Sequence, residues 1–156
     1  ILRTSWVFGA QGNNFVKTML RLASERDALS VVNDQQGCPS AAGDIADVLL
    51  TLAGRALRSR DSFPWGTYHF CNHGVTSWHG FASAILREAA RRGAHSIPVR
   101  GIPTTDYPTP AQRPAWSVLD CSKLEETFGI APRPWEKALE EVLDVLVGPA
   151  DSTHAQ

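Results

Sequence analysis

Apolar residues recur along the chain in short bursts whose spacing switches between the strand and helix periods. Ile1 to Phe8 is apolar and β-branched and stops at Gly9, which predicts a strand from the first residue. Phe15, Met19, Leu22 and Ala23 lie at helical spacing, predicting a helix from about Asn13 to Arg26 with Asn13 as N-cap. Leu29 to Asn33 is a short β-branched strand. Asp34-Gln35-Gln36-Gly37-Cys38-Pro39 then carries the residues of a turn. Ile45, Val48, Leu49, Leu52, Ala53 and Ala56 mark a second helix, with Asp44 and Asp47 near its positive end.

Thr67 to Cys71 alternates as a strand. Trp78, Phe81, Ala82, Ile85, Leu86 and Ala89 form the clearest helical stripe, capped by Ser77 or Thr76 and closed by Arg91-Arg92-Gly93. Five prolines between Pro98 and Pro114 predict an extended, stiff, non-helical segment over 97–117. Asp120 is placed to cap a short helix ending at Phe128-Gly129. Pro134 suits the first position of a last helix, with Trp135, Leu139, Val142, Leu143 and Leu146 on one face. A single domain over 1–148 is expected, followed by a flexible polar tail over 149–156. Strands alternate with helices, so the fold class is α/β, with a few strands, about five helices and a Pro-rich irregular segment.

Composition narrows function mainly by exclusion. The chain has 156 residues, 43% hydrophobic and 20% charged, with a net charge of −1. That balance argues against binding nucleic acid by phosphate neutralisation, and no apolar run has the length of a membrane span. Ile1 to Phe8 is too short for a signal peptide, and Met19 is the only methionine, so a processed chain or a fragment is expected. Cys38, Cys71 and Cys121 are odd in number and widely spaced, which argues against a disulfide framework. No metal site is expected, since Cys71 and His73 have no second pair of ligands at hand.

Several segments carry a resemblance when taken in order. They are Arg3-Thr4-Ser5-Trp6-Val7-Phe8-Gly9, Gly12-Asn13-Asn14-Phe15-Val16, Asp34-Gln35 with Gly37 and Pro39, and Asp44-Ile45-Ala46. Tyr68-His69-Phe70, Ser77-Trp78, Tyr107-Pro108-Thr109-Pro110-Ala111, Arg113-Pro114 and Ser117-Val118-Leu119-Asp120 complete the set. From Ile1 to about Leu146 the chain resembles the C-terminal, substrate-binding part of the dTDP-4-dehydrorhamnose reductases, which are Rossmann-type extended short-chain reductases. The resemblance implies reduction of dTDP-6-deoxy-L-lyxo-4-hexulose to dTDP-L-rhamnose with NADPH or NADH. It also implies a role in polysaccharide biosynthesis, a cytoplasmic setting and a dTDP-sugar as partner.

The resemblance implies that Trp6 packs against the sugar and that Arg3, Thr4 and Ser5 run past the nicotinamide end of the cofactor. It places Asn14 near the nucleotide sugar. The residues themselves leave alternatives open. Asn13, Asn14 and Phe15 open a helix whose N–H groups suit a diphosphate, or the asparagines simply cap it. Asp34 and Gln35 read the thymine or ribose, or they build a turn. Arg113 binds a phosphate, or it pairs with a carboxylate and pins its segment. The glycine-rich fingerprint that brings a backbone close to a pyrophosphate is absent. Tyr68 and Tyr107 are the only tyrosines, and neither has Lys four residues on, so no catalytic residue is assigned. The chain alone is expected not to catalyse reduction or hold the cofactor tightly, and to self-associate through an uncovered first strand. A non-catalytic nucleotide-binding or regulatory module of the same fold is the alternative.

Overall fold

Helix α3 (Trp78–Ala90) is buried along most of its circumference through Phe81, Ala82, Ala84, Ile85, Leu86 and Ala89. Ser77 caps it by accepting from the Gly80 amide at 3.0 Å. The remaining elements pack around α3 and a smaller second core. The structure is a computed structural model that describes residues 1–150. The tail expected at 149–156 falls mostly outside the described residues.

The stretch expected as one strand over 1–8 divides into β1 (Leu2–Arg3) and β2 (Val7–Phe8). Trp6 causes the break: its φ of 47° lies in the left-handed region that bulky residues avoid. The turn sends the two halves to different partners. β1 runs parallel to β6 (Tyr68–His69), and β2 runs parallel to β5 (Ser40–Ala41). β1 has no second strand partner among the described residues.

Helix α1 (Phe15–Glu25) starts later than expected, and its cap is Asn14 rather than Asn13. The Asn14 side-chain oxygen accepts from the amides of Val16 and Lys17 at 3.1 and 3.4 Å. β3 (Leu29–Val32) pairs in parallel with β8 (Val99–Ile102), and β4 (Gln36–Gly37) pairs antiparallel with β7 (Thr76–Ser77). The turn expected at 34–39 therefore contains a strand, and so does the start of the Pro-rich segment. That segment also holds one 3-10 turn at Thr104–Asp106, where a single turn survives between Pro103 and Pro108.

Helix α2 (Ala42–Arg58) carries Ile45, Val48 and Leu52 inward against Tyr68, Phe70, Leu124 and Phe128. Its outer stripe of Ala46, Leu50, Ala53 and Leu57 is exposed, Leu50 by 72% and Leu57 by 86%. Helix α4 (Ser122–Phe128) ends at Gly129, whose φ of 66° closes the helix left-handed. Asp120 accepts from the Ser122 amide at 2.9 Å, although the cap position is Cys121. Helix α5 begins at Trp135, one residue later than expected, and runs to Leu146.

Asn72 ties the two cores together. It is fully buried, accepts from the Ala41 amide at 2.8 Å, and donates to Asp44 and to the Arg133 carbonyl. The Arg133 guanidinium bridges Asp44 (2.7 Å) and Glu141. Burial pushes the Asp44 carboxyl up, but hydrogen bonds from Arg133 and Asn72 outweigh it and hold the group below its ordinary value. Removing Asn72 leaves a buried amide and a half-buried carboxylate short of partners. Asn72→Ala is expected to lower stability by about 2–3 kcal/mol in urea unfolding; a change under about 0.5 kcal/mol contradicts this role.

Candidate nucleotide-sugar cleft

A cleft of about 790 Å³ opens between α1, β3 and the proline-rich strap. That volume is of the size small molecules occupy. Phe15, Met19 and Leu22 follow one another along the face of α1 that lines it, and Arg26 joins them just past the end of the helix. Eleven residues of helix span about 16 Å, so the cleft is elongated. Leu29 to Val32 form a second wall, and Tyr107, Thr109, Arg113, Pro114 and Ser117 of the strap form the third.

The end opposite Arg26 is aromatic. Trp6 stacks on Trp78 with ring centroids 3.6 Å apart and planes 11° from parallel. Phe15 tilts against Trp78 at 4.7 Å and stacks on Phe81 at 5.6 Å, which joins the cleft to the core. The Trp6 indole N–H donates to the Ser117 hydroxyl (3.1 Å), which donates to the Gln36 carbonyl (2.9 Å). Gly37 lies hard against Cε2, Cζ2 and Nε1 of the indole, and a Cβ there would sit 2.7 Å from Nε1. Trp6 is thus packed by Trp78 and Gly37, and what remains of its surface lines the cleft.

The loop after β3 fastens both ends of the strap. Asp34 accepts from the Thr104 amide (3.0 Å) and hydroxyl (2.6 Å), and Gln35 donates to that hydroxyl at 3.0 Å. These bonds from Thr104 hold the Asp34 carboxyl below its ordinary value. At the other end, the Gln36 amide donates to the Ala115 carbonyl (2.7 Å), and the Ser117 amide donates back to the Gln36 carbonyl (2.8 Å).

Charge in the cleft has one sign. Arg26 and Arg113 line it, and among the described residues no Asp or Glu does. Neither arginine is within ion-pair distance of a carboxylate among the described residues. Such a site attracts an anion flanked by apolar or planar groups.

Residues 1–147 match the sequence profile described as the RmlD substrate binding domain. The chain belongs to the RmlD substrate-binding domain family. A dTDP-4-dehydrorhamnose reductase of Aggregatibacter actinomycetemcomitans is 50% identical over 144 residues, covering 91% of this chain and 49% of that protein. The crystal structure of a Clostridium acetobutylicum dTDP-4-dehydrorhamnose reductase matches with a TM-score of 0.79 at 39% identity, over 93% of this chain and 48% of that one. A Bacillus anthracis dTDP-4-dehydrorhamnose reductase, solved in complex with NADP, gives a TM-score of 0.80 at 35% identity over 90% and 46%. The RmlD-type domain therefore spans about half the length of these relatives.

Of the residues expected at the site, the domain brings Trp6, Phe15, Gln35 and Arg113 to one cleft. Asn13 is exposed outside it, and Asn14 spends its side chain on capping α1 and on the Gly9 carbonyl (2.8 Å). Asp34 is not among the lining residues, and its carboxylate accepts from the Thr104 amide and hydroxyl. Arg3, Thr4 and Ser5 lie away from the cleft, with the Ser5 hydroxyl directed at the Cys38 carbonyl (3.3 Å). Trp116, on the strap, is 64% exposed. Trp78 packs against the main core and also lines the cleft. Arg26, Tyr107, Thr109 and Ser117 are additional lining residues that sequence spacing does not reveal.

Gly37→Ala tests the packing that sets Trp6. It is expected to displace the indole, shift its fluorescence, and cost about 1–3 kcal/mol in thermal or urea unfolding; unchanged fluorescence and stability contradict the close approach.

Proposed function

We propose that this domain is the nucleotide-sugar side of a dTDP-4-dehydrorhamnose reductase, which reduces the 4-keto group of dTDP-6-deoxy-L-lyxo-4-hexulose with NADPH or NADH to give dTDP-L-rhamnose. The observation that carries the reading is the cleft: aromatic at one end and lined by two guanidiniums that, among the described residues, have no carboxylate partner. A dTDP-sugar has the matching parts: a planar base, a diphosphate and a pyranose with apolar C–H faces. In this reading Trp6 with Trp78 backs the sugar, Arg113 and Arg26 flank the diphosphate, and Gln35 offers its remaining hydrogen-bonding capacity to the ligand. Asn13 and Asn14 contribute the order of the α1 entrance rather than a direct contact. Asp34 acts through the strap.

The residues present do not form a cofactor cradle. The glycine-rich turn is absent from the chain, and the Ser5 hydroxyl is committed to Cys38. Arg3 and Thr4 remain exposed at the end of β1, where they touch at most one end of a cofactor held elsewhere. This domain's part in the reaction is to bind and orient the substrate. The reductase reading is favoured over a regulatory module because the matched relatives carry that activity in their names across most of this chain.

Calorimetric titration with dTDP-L-rhamnose tests the reading. Binding is expected, weakened at least about tenfold by Arg113→Ala and by Trp6→Ala, in keeping with loss of a charge-assisted bond or an aromatic contact. No heat of binding to the folded chain, or an affinity in both variants equal to that of the unmodified chain, counts against it. We also propose self-association through the open edge of β1 and the apolar outer stripe of α2. Sedimentation velocity is expected to show a concentration-dependent increase in size; a monomer at every concentration contradicts it.

A further inference from the structure

Three cysteines far apart in sequence meet at one point. The Cys71 and Cys121 sulfurs lie 3.7 Å apart, and both approach the Leu119 carbonyl, at 3.7 and 3.8 Å. The Cys71 amide also points at the Cys121 sulfur at 3.4 Å. Cys38 lies beside the pair, close enough to influence both thiols. Cys38 and Cys71 are buried, and Cys121 is half-buried, so the cluster has one sulfur within reach of solvent. Among the described residues, no three His, Cys, Asp or Glu side chains are arranged to hold a metal ion, so thiol chemistry is what the cluster offers.

We propose that Cys71 and Cys121 are a dithiol oxidation site, closed to a disulfide by a low-molecular-weight disulfide that enters at Cys121. The first step transfers one half of the oxidant: the Cys121 sulfur attacks R′S–SR′, forms a mixed disulfide and expels one R′SH. The Cys71 sulfur then attacks the Cys121 sulfur and expels the second R′SH. Two electrons and two protons leave the protein for the two R′SH molecules, and the balance is complete. The sulfurs need to close from 3.7 Å to about 2.05 Å, a movement that side-chain rotation and a small loop shift can supply.

Hydrogen bonding orders the three thiols. Contact with Cys38 and burial push Cys71 up to about 11, against the lowering effect of Cys121. Cys121 is also pushed up, by its contact with Cys71 and by burial, whereas Cys38 is shifted down by its contact with Cys71. The thiolate is the attacking form, so closure accelerates as pH rises.

The consequence falls on the cleft. The loop closed by the bond, from 71 to 121, carries α3 and the whole strap, including Trp78, Arg113 and Ser117. Closing a loop of that length raises stability by restricting the unfolded chain.

The test is to incubate the reduced chain with oxidised glutathione under native conditions at pH 8, alkylate remaining thiols and digest with trypsin. Cleavage places Cys38 in peptide 27–55, Cys71 in 61–87 and Cys121 in 101–123. The expected product links 61–87 to 101–123, leaves Cys38 alkylated, raises Tm by several degrees and reverts with dithiothreitol. Cys121→Ser is expected to abolish the link, and Cys38→Ser to leave it in place. Three alkylated thiols after prolonged oxidation, a link to peptide 27–55, or glutathione retained on Cys121 would each overturn the proposal. The wild-type peptide map decides the matter even if a variant fails to fold.

Discussion

The stack of Trp6 on Trp78 is the constraint on which the rest of the site depends. Trp6 sits in a left-handed backbone conformation that costs about 1–3 kcal/mol for a non-glycine residue. Three contacts hold it there: the Trp78 ring, the Ser117 hydroxyl, and the Ser40 amide, which donates to the Trp6 carbonyl at 3.1 Å. The turn separates β1 from β2 and brings the indole out of strand register toward the cleft. Without it, the first eight residues would continue as one strand and Trp6 would not meet α3. Strain of this kind persists only where surrounding contacts fix it, and here those contacts are also walls of the binding cleft.

The strap follows from the same arrangement. A segment with five prolines between Pro98 and Pro114 cannot build a ladder of its own, so it must be tied down from outside. Asp34 and Gln35 fasten it at Thr104, and Gln36 fastens it at Ala115 and Ser117. Ser117 then returns to Trp6, so the strap and the aromatic end of the cleft share one hydrogen-bond chain. Between the two fastenings the strap supplies Tyr107, Thr109 and Arg113 to the cleft, and Arg26, just past the end of α1, lines it from the opposite side.

Much of this was legible in the sequence where periodicity was strong. The apolar stripe from Trp78 to Ala89, the Ser77 cap, the Gly129 stop and the extended proline segment all appear in the structure with small shifts at their ends. The ordered motifs also identified the family. The break at Trp6 was not legible, because local β propensity favours continuing the strand and the contacts that oppose it come from Ser40, Trp78 and Ser117, 34, 72 and 111 residues away. The tie between Asp34 and Thr104 was hidden for a related reason: a carboxylate in a turn-like loop suits a ligand as well as it suits a strap amide, and Thr104 lies 70 residues on. The meeting of three cysteines has no local signal at all. It arises only when the loop before β5, the end of β6 and the end of the strap are packed together.

A crystal structure of the chain soaked with dTDP-L-rhamnose tests the central claim most directly. The account expects the pyranose within van der Waals reach of Trp6, with the diphosphate between Arg113 and Arg26 and the base toward Leu22 and Leu29. A ligand bound outside this cleft, or one whose diphosphate contacts neither arginine, would contradict it.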